Sequence, residues 1–184
     1  TSLHLMDIHE TTRCGNFPLL RTYSGTRDLV RWAELQNKHL NTAWGAVPLT
    51  WYSELDGRSK RPLLHAIREN REAIKWYADR GIPVAVNEVN HWSMRDAHDS
   101  LAVAMAYIAA YNAKELGVKY FIAPLMFNTP SGTSFRMDLA KMMAMMDLIE
   151  ELHGSGFTTY RQVRPGVGHY LPDVSVAKGQ MAAS

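Results

Sequence analysis

Apolar residues along this chain follow two alternating rhythms. Stretches with hydrophobic positions three and four apart, the spacing of a helix face, give way at a glycine to short unbroken apolar runs, the mark of buried strands. The pattern occurs at Ala78-Asp79-Arg80-Gly81 followed by Ile82-Pro83-Val84-Ala85-Val86. It recurs at Lys114-Glu115-Leu116-Gly117 followed by Val118-Lys119-Tyr120-Phe121-Ile122, and at Glu151 to Gly156 followed by Phe157-Thr158-Thr159-Tyr160. Glycine stops a helix because it tolerates the left-handed conformation. Strands separated by single helices run parallel, since no hairpin can join them. In parallel α/β folds the chemistry lies at the carboxyl ends of the strands.

The remaining elements follow from the same patterning. Residues 1–15 read as loop with a short strand, and Phe17-Pro18-Leu19-Leu20 is an apolar run leading to Arg21. Ser24 or Thr26 is placed to cap a helix whose apolar face is Leu29, Val30, Trp32, Ala33 and Leu35. Ala43 to Tyr52 reads as a strand with an irregular end, and Pro62 opens a long helix that Gly81 ends. Ile82–Val89 is a strand that empties into Asn90-His91-Trp92-Ser93-Met94-Arg95. An alanine-rich helix over 96–116 is expected to lie close against a sheet. Strand Val118–Ala123 opens into a polar loop from Leu125 to Arg136, followed by helix Met137–Leu152, whose methionines suit adaptable core, and strand Phe157–Val163. Residues 173–184 read as the start of a further helix.

Length and charge narrow the function. The chain of 184 residues suffices for one domain with a real core. It falls short of the roughly 250 residues of a closed eight-stranded barrel. The expected fold is therefore α/β, a parallel (β/α) barrel of TIM type that is incomplete here or completed by another chain, as a single domain over 1–184. A formal net charge of +2 without lysine or arginine runs argues against nucleic-acid binding. No apolar run approaches a membrane span. The N-terminus lacks a secretory layout, and one cysteine, Cys14, excludes an internal disulfide framework and a cysteine-based zinc site, so a cytoplasmic setting is expected.

Three clusters could carry chemistry. Glu88 stands at a strand end, where an unpaired charge is costly to bury unless it acts as a base or an acceptor; an ion pair to Arg95 or a lysine is the bland alternative. Asn87, Asn90 and His91 beside it are candidate substrate contacts. The spacing Glu88-x-x-His91, even with Asp96, His98 and Asp99 nearby, falls short of the convergent ligands a metal needs, so no metal is expected. The loop Asn128-Thr129-Pro130-Ser131-Gly132-Thr133-Ser134 precedes a helix, where backbone N–H groups favour an anion; it lacks the lysine and spacing of a P-loop. We assign Asn128 to substrate and Thr133 and Ser134 to a cofactor, with Ser134 as a plain helix cap the structural alternative. Arg21 is suited to grip a carboxylate, and Arg161 and Arg164 near another strand end could do likewise. The stretch Asp7 to Thr12 approaches the Asp-x-His-x-x-Gly signature of cobalamin-binding domains, but Thr12 stands where that signature needs glycine.

In order along the chain, Phe17-Pro18-Leu19-Leu20-Arg21 with Ser24 to Leu29, Gly81 to Glu88, Leu116 to Ile122 and Met137-Asp138-Leu139-Ala140 resemble the barrel subunit of adenosylcobalamin-dependent glutamate mutase, the methylaspartate mutase large-subunit family. The resemblance spans roughly residues 15–165. It implies an isomerase: a (β/α)₈ barrel enclosing a radical carbon-skeleton rearrangement, within a homo- or hetero-oligomer. A separate subunit or domain would carry the adenosylcobalamin, whose radical takes a hydrogen from the substrate. Arg21 would match a carboxylate-binding arginine and Glu88 the strand-end glutamate near the cofactor. The family's Asn-Glu-Gly-Gly-Gly run is replaced here by Asn41 to Tyr52, without the amine-binding glutamate, so a small acid other than glutamate is expected as substrate. The alternatives are another barrel enzyme on an anionic substrate (lyase, aldolase or methyltransferase) and a non-catalytic assembly partner.

Overall fold

The computed structural model describes residues 2–15, 17–23, 27–130, 132–164 and 172–182. In chain order it contains α1 (Ser2–Thr11), α2 (Leu29–Leu40), β1 (Gly45–Val47), α3 (Leu63–Ala78), β2 (Val84–Val86), α4 (Glu88–Ser93), α5 (Asp99–Glu115), β3 (Tyr120–Met126), α6 (Phe135–Glu150), β4 (Thr158–Arg164) and α7 (Val174–Ala182). The four strands form one parallel sheet in the order β1-β2-β3-β4. The fold is thus mixed α/β around a parallel sheet. The strands follow one another in chain order, without reversal.

The helix-stop glycines act as the sequence indicates. Gly81 and Gly117 hold φ of 65° and 84° just past α3 and α5. The alanines of α5 also behave as expected: Ala102, Ala106, Ala109, Ala110 and Ala113 are buried, letting the helix lie against Val84, Val86, Phe121 and Ala123 of the sheet. Met142 and Met145 of α6 join this core, whereas Met143 is half exposed. Pro124 falls inside β3, which has no ladder partner there from β2: the two meet at Val84 and Phe121, so the missing N–H disrupts no ladder on that side.

Three expectations need correction. Residues 2–11 are helix rather than loop and strand; the single buried side chain, Leu5, leaves too faint an amphipathic signal to read. The strand expected over 82–89 is only Val84–Val86, because the backbone turns at Asn87 (φ −81°, ψ 34°) into α4. Glu88 therefore opens a helix, where a negative charge suits the exposed N–H groups. The strand expected from Ala43 to Tyr52 is only Gly45–Val47, and Ala43 N donates to Leu20 O at 2.8 Å, laying the Phe17–Leu20 run beside the entry to β1. The proposed caps Ser24 and Thr26 lie outside the described residues; α2 begins at Leu29, directly after Asp28 with φ 60°.

Gly45 is fixed by packing. A Cβ there would stand 2.5 Å from the Tyr77 ring, whose hydroxyl is tied to Gln36 Oε1 at 3.2 Å. Gly45→Ala is expected to destabilise the fold by about 2 kcal/mol, the usual cost of overpacking. A melting temperature unchanged within about 2 °C would contradict this.

Candidate functional site

The carboxyl ends of β1, β2 and β4 bring their following residues onto one face. β1 runs into Leu49 to Tyr52, β2 into Asn87 and α4, and β4 ends at Arg164. Glu88 lies fully buried at the centre. Its Oε2 accepts from Leu49 N (2.8 Å) and Thr50 N (3.0 Å), and its Oε1 from the Thr50 hydroxyl and Trp92 Nε1. Trp51 Nε1 donates in turn to the Glu88 carbonyl at 3.3 Å. Burial raises the Glu88 pKa, and the four hydrogen bonds oppose that rise. The ion pair to Arg95 is not formed; that guanidinium lies 4.8 Å over the Trp51 ring. Glu88 thus clamps the loop after β1 to α4. With every acceptor direction occupied, it orients neighbours rather than facing outward as a free base.

Around this clamp stands an aromatic wall. Trp51 meets His91 edge-on at 5.2 Å and Trp92 at 5.0 Å, and Tyr23 lies 5.9 Å from His91 and 6.0 Å from Tyr52. The charges of Glu88, Arg58 and Arg21 all act on the Tyr23 hydroxyl. Burial holds that phenol well above its ordinary pKa. Asn90 and His91 are both buried on α4.

The cations are the unusual part. Arg164 reaches back from β4 to Asn87 Oδ1 at 3.3 Å, lying across the mouth of the intervening β3. Burial first, and then the neighbouring Arg21 charge, lower its pKa to about 10. Burial lowers that of Arg21 as well. The Nε atoms of both are buried without a hydrogen-bond partner, as are the Tyr23 hydroxyl and His91 Nδ1. Among the described residues neither arginine forms an ion pair. Two half-buried guanidiniums whose charges oppose one another, with no carboxylate paired to either among the described residues, are groups of the kind that grip carboxylates.

Arg161, weighed beside Arg164 from the sequence, takes a different role. The two are three apart on a strand and so face opposite sides. Arg161 pairs with Glu150 of α6.

The loop of Asn128, Thr133 and Ser134 is engaged within itself. Asn128 N donates to Asp138 Oδ2 (2.6 Å), and the Thr133 hydroxyl shares its one proton between Asp138 Oδ1 and Pro130 O, each at 2.9 Å. Asn128 Oδ1 accepts from Gly132 N, and Ser134 Oγ caps α6 by accepting from Met137 N at 3.2 Å. Asp138, 1% exposed, already brings a negative charge to this helix start, which disfavours a second anion. Ser131 lies outside the described residues. The structure thus gathers Arg21, Asn87, Glu88, Asn90 and His91 at the strand mouths and leaves Asn128, Thr133 and Ser134 in a loop bonded to its own helix. His98 and Asp99 are engaged too, His98 capping α5 through Ser100 N and Asp99 pairing with Lys141. Among the described residues no group of three or more His, Cys, Asp or Glu could hold a metal, and no helix is long and apolar enough to cross a membrane.

Sequence reading missed Tyr23, Trp51, Tyr52 and Trp92 as parts of the site. The signal was available in the aromatic pair Trp51-Tyr52 just beyond a strand, but it reads equally well as core.

His91 carries a testable consequence. Burial, then the Arg58 charge, lower its pKa to about 4 from 6.5. The unfolded chain therefore binds a proton that the folded one refuses between those values, and stability is lost as pH falls from 6.5 towards 4. By about pH 5 the loss from this group is about 2 kcal/mol. His91→Gln is expected to flatten that part of the urea-midpoint profile relative to the wild type, a comparison in which the opposing Glu88 contribution cancels. Parallel profiles would contradict the assignment.

Comparison of the chain with protein-family models, with curated proteins and with solved structures finds no match.

Proposed function

We propose that this chain is the substrate-holding barrel component of an enzyme acting on a small carboxylic acid. The observation that carries this is the pair Arg21 and Arg164, each half-buried with Nε lacking a hydrogen-bond partner, neither in an ion pair among the described residues, and the charge of Arg21 acting on Arg164. Guanidiniums bind carboxylates through two parallel charge-assisted hydrogen bonds. The aromatic wall of Trp51, Tyr52, Tyr23 and His91 would exclude water from the bound acid, as a reactive intermediate requires.

The resemblance to the glutamate mutase large subunit makes the reaction a carbon-skeleton rearrangement. No set among the described residues fits a corrin. His9 of the Asp7–Thr12 stretch lies on α1 with Nε2 held by Arg13 at 3.0 Å, and the hydroxyls of Thr133 and Ser134 are engaged. Adenosylcobalamin is accordingly assigned to a partner subunit or domain, and this chain to gripping and shielding the acid. In that role Glu88 is a positioning residue that fixes Thr50, Trp51 and Trp92.

A second reading, a non-catalytic assembly partner, draws support from the internal engagement of Glu88 and of the Asn128–Ser134 loop. Calorimetric titration with small acids separates the two, since only the first requires saturable binding that Arg21→Met and Arg164→Met abolish. With a cobalamin-carrying partner and adenosylcobalamin present, an acid that binds should trigger paramagnetic signals in electron paramagnetic resonance. Silence across every acid that binds would leave the acid site standing and remove the mutase assignment.

A further inference from the structure

Within the charge field of Arg164, and against the Tyr23 ring that follows Arg21 in the chain, stands a hydrogen-bonding group with nothing to bond. His91 is 9% exposed, and its Nδ1 is buried without a partner. Such an atom in a native interior calls for an explanation, commonly a bound group. The ring is wedged between Trp51 and Tyr23 and so has little freedom to turn away.

The charges facing this ring decide what can approach it. Arg58, Arg95 and Arg164 act on it from the loop after β1, from the end of α4 and from β4, and Asp56 is the carboxylate that also does so. Asp56 is committed to Ser53 N at 3.1 Å and to Arg58 Nε at 3.3 Å. Glu88, the other carboxylate of the site, already accepts from Leu49, Thr50 and Trp92. An ammonium group would therefore meet three cations against one carboxylate, Asp56, whose Oδ2 lacks a hydrogen-bond partner but is already ion-paired with Arg58. A neutral imidazole offers one donor and one acceptor, and a hydroxyl can answer either without bringing charge.

We propose that the acid accepted here carries a hydroxyl group rather than an amine, with Arg21 and Arg164 holding the carboxylate and the Nδ1 edge of His91 bonding the hydroxyl. This rests on the carboxylate-binding reading above and extends it to a substrate class, the small hydroxycarboxylic acids.

The test is calorimetric titration of the full chain near neutral pH with two matched sets: lactate, propionate and alanine, then 3-hydroxybutyrate, butyrate and 3-aminobutyrate. In at least one set the hydroxy acid should bind about tenfold tighter than its parent, the worth of one good hydrogen bond, and the amino acid more weakly than the parent. His91→Phe should bring the ratio of hydroxy acid to parent close to one. Should that variant not fold, nitrogen-15 resonances of the wild-type His91 ring supply the same information: a shift of Nδ1 with the hydroxy acid and none with the parent. Equal affinities within both sets, an amino acid binding tightest, or an unmoved Nδ1 resonance would overturn the hydroxyl assignment while leaving carboxylate binding intact. Failure of every acid to bind would overturn both.

Discussion

Arg164→Met is expected to weaken binding of the small acid by about 100-fold while leaving the fold as stable as before, or more so. A guanidinium–carboxylate pair in a partly buried site contributes about 3 kcal/mol when one partner is truncated, which sets the size of the loss. Stability moves the other way because of what surrounds Arg164 in the free protein. Its pKa is lowered to about 10 by burial and by Arg21, so the folded state disfavours the charged form relative to the unfolded chain. A thioether of similar length keeps the apolar stem and removes that repulsion. It also releases the 3.3 Å contact to Asn87 Oδ1, a long and replaceable bond. Binding measured by calorimetry and melting followed by circular dichroism should therefore separate: affinity collapses, the melting temperature holds or rises. If the melting temperature falls steeply while affinity survives, Arg164 is a structural residue and the anion site is wrongly placed.

Lys141→Met is expected to be the most destabilising single change in the α6 region, costing about 4 kcal/mol. Lys141 is 5% exposed and Asp138 is 1% exposed. The ammonium donates to Thr129 O at 2.6 Å and to Asp99 Oδ1 at 3.0 Å, with Asp138 Oδ1 at 3.7 Å. Removing it leaves the Asp138 carboxylate buried beside Asn128 N and the Thr133 hydroxyl without its counter-charge, and breaking a buried pair from one side costs about 3–5 kcal/mol. In a chain of this size that lowers the melting temperature by about 10 °C. Asp138→Asn added to Lys141→Met should recover part of the loss, since an amide oxygen still accepts from the loop without carrying charge. A loss below about 1 kcal/mol would mean that the loop is not held by this pair, and would reopen Asn128, Thr133 and Ser134 as ligand contacts.

What the chain disclosed in advance was the parallel winding and its direction. Gly81 and Gly117 mark helix ends because few residues other than glycine adopt their positive φ. The alanines of α5 face the sheet because only small side chains fit there. The position of Asn87 and Glu88 just past a strand follows from that winding alone, whereas Arg21 follows no strand and Asn90 and His91 lie on α4. The role of Glu88 was not legible. A glutamate after Val84-Ala85-Val86 looks the same whether it faces a ligand or accepts from Leu49, Thr50 and Trp92, since those donors come from 38 or more residues upstream or from one helical turn onward. The turn at Asn87 was hidden for a related reason: Val86 and Val89 are both apolar, and only tertiary burial makes one strand and the other helix. Helix α1 was missed because Leu5 is the one side chain it buries. The choice of Arg164 over Arg161 could have been made beforehand from strand alternation, once the face occupied by α6 was known.

The account stands on a carboxylate lodged between Arg21 and Arg164, and a crystal structure with a bromine-labelled small acid, such as 3-bromopropionate, tests this by placing the ligand through anomalous scattering. The expected result is a bromine peak against the Trp51–His91 wall with the carboxylate oxygens about 2.8 Å from both guanidiniums. An acid found instead at the Asn128–Ser134 loop, or an empty strand mouth in which both arginines pair with carboxylates of the protein itself, would contradict it.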